Sequence, residues 1–92
     1  SYLLKRAQHD REQGQYETAI GYFRNALALT PDNSEVHFML AQTYASAARP
    51  EEALREYQTV LRLAPDHLES RLQIAEIHRA RGQWPAAISE YK

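Results

Sequence analysis

Four histidines, His9, His37, His67 and His78, are the first residues in this sequence that could do chemistry, since imidazole both ligates metals and titrates near neutrality. A metal site on a helix needs two ligands one turn apart so that both leave the same face. No two of these histidines have that spacing, and no HExxH run occurs, so they read as packed or surface side chains. Glu51 and Glu52 are an adjacent acid pair, but neighbouring helix positions point in different directions and cannot share a proton across a substrate. Gly14 and Gly21 follow no strand pattern and match neither GxGxxG nor a P-loop, and there is no GxSxG. The lack of cysteine removes disulfides, thiolate clusters and a Cys nucleophile together. Arg71, Arg79 and Arg81 form a basic cluster, yet Asp66, Glu69 and Glu76 are interleaved with them. With 11 basic against 12 acidic residues the formal charge is -1, so no field draws in nucleic acid. The expectation is a protein that is not an enzyme and uses no metal or cofactor.

The elements that carry these residues recur. Pro31 and Pro65 stand 34 residues apart, in the phrases 26–32 and 60–66. The same interval separates Ala7, Ala41 and Ala75; Ala19, Ala53 and Ala87; Ile20, Leu54 and Ile88; and Phe23, Tyr57 and Tyr91. This divides the chain into units 1–33, 34–67 and 68–92, the third cut short. Within a unit, Tyr16, Ala19, Ile20, Phe23, Ala26 and Leu27 make the stripe of an amphipathic helix. Leu54, Tyr57, Val60 and Leu61 repeat it, and Ser34 to Ala47 forms the preceding helix of the second unit. Gly14 and Gly82 suit helix ends that need positive φ, and Pro50 followed by two acids suits a first turn. Asp32 with Glu35, and Asp66 with Glu69, read as capping acids. The paired alanines let two antiparallel helices approach closely.

These positions resemble the tetratricopeptide repeat, a 34-residue helix-turn-helix unit. The resemblance covers the chain. It rests on Ala7, Gly14, Tyr16, Ala19, Phe23, Ala26 and Pro31; on Leu40, Ala41, Tyr44, Ala53, Tyr57 and Pro65; and on Ile74, Ala75, Gly82, Trp84, Ala87 and Tyr91. Departures stand at the family's early Trp, here Leu3, His37 and Arg71, and at its later Tyr, here Asp10 and His78. The family implies an all-α, right-handed solenoid of antiparallel helix pairs whose first helices line a concave groove for peptides or partner proteins.

On that geometry the groove residues are Leu4, Lys5, Gln8, Arg11 and Glu12, then Phe38, Met39, Gln42 and Ser46, then Leu72, Gln73, Glu76 and Arg79. Leu4, Phe38 and Leu72 lie 34 apart and are expected to form an apolar row suited to an apolar or amphipathic peptide. Relatives that hold acidic C-terminal tails do so with Lys, Arg and Asn. The matching positions here carry Leu4, Gln8, Met39, Glu69 and Gln73, so no cation clamp is expected.

Two further roles follow from the same residues. Ile74, Ile77, Trp84, Ile88 and Tyr91 on an uncapped last unit would favour self-association as a homo-oligomer, and the chain also reads as an accessory arm of a larger enzyme or assembly machine. No apolar run approaches the roughly 20 residues that cross a bilayer, so membrane insertion is not expected. No residue pattern assigns a compartment; cytoplasm and periplasm are equally open.

Overall fold

The computed structural model describes residues 1–82. They form five helices, α1 (Tyr2–Glu12), α2 (Tyr16–Leu29), α3 (Ser34–Ser46), α4 (Pro50–Leu63) and α5 (Leu68–Ala80); the described residues contain no strand. Each helix packs chiefly against its neighbours in sequence. The expected all-α stack of helix pairs is therefore what forms. Trp84, Ala87, Ile88 and Tyr91 fall at 83–92, outside the described residues.

The tight turn inside each unit has one geometry. After α1 the Gln15 amide donates to the Asp10 carbonyl at 2.8 Å, and after α3 the Arg49 amide donates to the Tyr44 carbonyl at 2.9 Å. Such a bond, closing back over the last turn, requires the residue before the donor to be left-handed. Gly14 has φ 76 and Gly82 φ 73, as expected, while Ala48, at the matching place in the second unit, is held at φ 60. Pro50 opens α4, with Glu51 and Glu52 in its first turn.

Between units the helix starts differ from the expected capping acids. The N-caps are Asn33 and His67, one residue later than Asp32 and Asp66. The Val36 amide donates to Asn33 Oδ1 at 3.3 Å, and the Ser70 amide donates to His67 Nδ1 at 3.2 Å. The backbone is extended at 33 and 67, which aims those side chains, not those of the preceding aspartates, at the free amides.

Small residues set the helix spacing. Ala7, Ala19, Ala41, Ala53 and Ala75 are fully enclosed, as a close crossing needs. Phe23, Leu40, Tyr57, Val60 and Ile74 fill the layer between them, each contributing about 1.5 to 3 kcal/mol by leaving water. Ile74 is thus a core residue and not, as expected, part of a bare end face: it is 1% exposed and belongs to the same core cluster as Tyr57 and Val60. Ile77 is half-buried against the same cluster.

Ionic contacts tie each inner turn to the previous unit. Arg49 reaches Glu17 in the first turn of α2 at 2.7 Å, and Arg81 reaches Glu51 in the first turn of α4. Arg49 also donates to Glu52 at 2.8 Å and lies 5.1 Å above the Tyr44 ring.

Candidate functional site

The first helices α1, α3 and α5 form one side of the stack. Gln8 of α1 touches Met39 of α3, its Nε2 donating to Sδ at 3.4 Å. Phe38 of α3 meets His67 at the start of α5, with ring centroids 4.7 Å apart. Most of the expected groove residues are accessible: Gln8, Leu72, Gln73, Glu76 and Arg79 are exposed, and Leu4, Arg11, Met39 and Gln42 half-buried. Glu76 and Arg79 form an ion pair, so these two groups partly neutralise each other. The Arg79 guanidinium holds the Glu76 carboxyl below its usual range.

The apolar row is interrupted at Phe38, which is only 9% exposed. Its ring turns inward and meets Tyr57 edge-on at 5.8 Å, as well as His67. Successive helix residues are rotated by about 100°. Position 38 therefore faces the α4–α5 junction, while Met39 swings towards α1. The apolar surface on this side consists of Leu4, Met39 and Leu72, the last 40% exposed.

A second in-phase row lies beside it. Gln8, Gln42 and Glu76 are 34 residues apart, one on each first helix. The two amides donate and accept at once, the combination that reads a peptide backbone, while the Glu76 carboxylate only accepts and is engaged by Arg79. The thioether opposite Gln8 is a weak acceptor, so a peptide carbonyl can displace it at little cost.

Beneath this face, burial pushes the Tyr57 hydroxyl up to about 12, with Glu69 adding to the effect and Arg11 opposing it. Tyr57 thus feels charges from α1 and α5 at once, a role that its place in an apolar stripe does not disclose.

The histidines do not gather. His9 is exposed, His67 caps α5 and His78 is half-buried. His37, where the family has Trp, contacts the Glu56 carboxylate through Nδ1 at 2.6 Å and the Pro31 carbonyl through Nε2 at 2.7 Å. Arg71, at the matching position, donates to the Pro65 carbonyl at 2.6 Å. Both side chains brace the proline turn six residues upstream, with hydrogen bonds in place of an indole's packing. Among the described residues no three His, Asp or Glu side chains are grouped to hold a metal ion, and no helix is long and apolar enough to cross a membrane.

Asp10 replaces the tyrosine seen at 44. It is 4% exposed, with Oδ1 3.6 Å from Arg6 Nε and Oδ2 without a partner. Removing this carboxylate from water without full pairing costs stability.

Two versions of the tetratricopeptide repeat profile match the chain, over residues 10–62 and 38–92. No curated protein matches the sequence. Among solved structures, one described as MamA superposes with a TM-score of 0.93 at 16% identity, over 97% of this chain and 52% of that one. MamA from Desulfovibrio magneticus RS-1 gives 0.88 at 13%, over 97% and 50%. The second TPR of Spaghetti (RPAP3), solved bound to the HSP90 peptide SRMEEVD, gives 0.87 at 18%, over 98% and 83%. At these identities the likeness is one of fold. The chain spans about half the length of the MamA structures it matches.

Proposed function

The chain belongs to the tetratricopeptide repeat family, and from that premise we propose that it is a protein-interaction module whose first-helix face receives a peptide or partner protein. Units 1–33, 34–67 and 68–92 are read as its repeats. The observation that carries the proposal is the composition of that face: the in-phase polar residues Gln8, Gln42 and Glu76, with the accessible apolar side chains Leu4, Met39 and Leu72 among them. Together they match a segment that offers backbone amides along one edge and apolar side chains along the other, whether extended or amphipathic. Arg11, Gln73 and Arg79 lie along the margins and would favour one register over another.

The test is affinity capture with the intact protein, comparing wild type with Leu72→Glu and Gln42→Ala. Neither residue belongs to the buried core, so both variants should fold. Capture of specific partners is expected to fall with each; partners retained at wild-type levels by both variants refute the groove reading.

Self-association is a second reading, supported by one observation. Antiparallel pairing brings the start of α1 and the end of α2 to the same end of their hairpin, where Tyr2 is 69% and Leu29 74% exposed. Light scattering that stays monomeric as concentration rises rejects it.

A further inference from the structure

The stack has a second concavity away from the groove. There α2 and α4 part above α3 and leave a cleft of about 580 Å³, within the size range of sites that hold small organic groups. Leu27, Leu40 and Tyr44 floor it; of the three Leu27 is the most accessible, at 9%, and Arg49 lies over the Tyr44 ring. The charged groups around it are unevenly engaged. Glu52 already accepts from Arg49, and Glu56 already meets His37. Arg24 on the α2 side and Arg55 on the α4 side line the same cleft; both are exposed. Arg55 makes no close ion pair among the described residues but, after Arg49, adds to the field that holds the Glu52 carboxyl below its usual range. Three arginines and two glutamates line the cleft, and Arg49 is held by Glu17 as well as by Glu52, so Arg24 and Arg55 are the guanidiniums left to meet an anion.

A guanidinium keeps its charge at any ordinary pH and presents a rigid fork of donors that matches a carboxylate. Two such forks on opposite walls, above that floor, select a particular ligand: an oxyanion carried on an apolar stem. His37 helps to create the space. It lines the cleft together with Pro31 and Glu56, the two groups it contacts, and the larger indole found in the family at this position would fill more of that space.

We propose that the α2–α4 cleft is a second binding site, for a carboxylate borne on an aromatic or branched apolar group. A peptide C-terminus and a free aromatic acid both supply that chemistry. This site uses no groove residue, so it stands or falls apart from the groove reading.

The experiment is a titration of the intact protein with N-acetylphenylalanine, followed by backbone amide shifts. Saturable millimolar binding is expected, with shifts centred on Leu27, Ala28, His37 and Leu40. N-acetylphenylalaninamide, which lacks the carboxylate, and inorganic phosphate, which lacks the stem, should each bind about tenfold more weakly or not at all. Arg24→Gln with Arg55→Gln should weaken binding about tenfold at unchanged melting temperature. His37→Trp, which restores the family's residue and fills the cleft, should abolish it while the far-UV circular dichroism stays the same. A peptide ending in a free Phe that outcompetes the acetylated acid supports the site and identifies a chain terminus as its ligand; parity supports the site and identifies the free acid. No saturation, shifts centred on Gln8, Gln42 and Leu72, or an undiminished response in the double arginine variant overturns the proposal.

Discussion

At the scale of single residues, Ala48 is where the sequence departs most plainly from what its backbone requires. A side chain at φ 60 places Cβ against the following carbonyl, at a cost of about 1 to 2 kcal/mol. The exposed position offers no packing to offset it. Ala48→Gly is therefore expected to raise stability by about 1 kcal/mol, part of the relief being returned as unfolded-chain entropy. A denaturant midpoint at or below wild type contradicts this. The strain was legible only in part, because Gly14 and Gly82 mark the turn while the alanine between them carries no signal of positive φ. Phe38 shows the opposite limit. Its in-phase spacing with Leu4 and Leu72 is real, but which way the ring turns depends on the gap between Tyr57 and His67, and no spacing rule contains that gap. A charge at 38 would break a ring cluster as well as any binding surface, which makes Leu72 the cleaner probe.

Among the elements, the close approach of paired helices depends on alanines with no room around them. Ala53 is fully enclosed, so Ala53→Leu must push α3 and α4 apart or force strained rotamers, at about 1 to 3 kcal/mol. An unchanged thermal melt would show that this crossing is not set by the small residue. Helix positions and the alanine register were readable because each is reported several times over by period, turn and stripe. Cap identity was not. An aspartate and the residue after it are equally placed in the sequence, and only the extended backbone at 33 and 67 selects Asn33 and the unusual His67. Arg49 was invisible in part for a related reason: Glu52 and Tyr44 lie in its own unit, but Glu17 lies in the one before, so that contact exists only once the units stack.

For the molecule as a whole, the stacked architecture was legible from the 34-residue period, since a unit that cannot bury its own apolar face must lay it on the next. The chemistry of the groove was less so: residue types could be assigned to the face, but not their depth. One absence of residue types does carry through. The first-helix face has Gln8, Met39 and Gln73 where an acidic tail would need cations. Calorimetry with the peptide SRMEEVD is accordingly expected to show no micromolar binding; a micromolar isotherm abolished by Leu72→Glu would contradict that expectation.

The latches from Arg49 to Glu17 and from Arg81 to Glu51 give the array an elastic character. They sit in water and weaken as counterions crowd in, whereas the apolar layers between helices do not loosen with salt. Such a chain is expected to act as a coil spring with a firm wire and soft clips between its windings, its pitch relaxing in brine while each winding keeps its shape, a change that small-angle scattering at low and high salt would read.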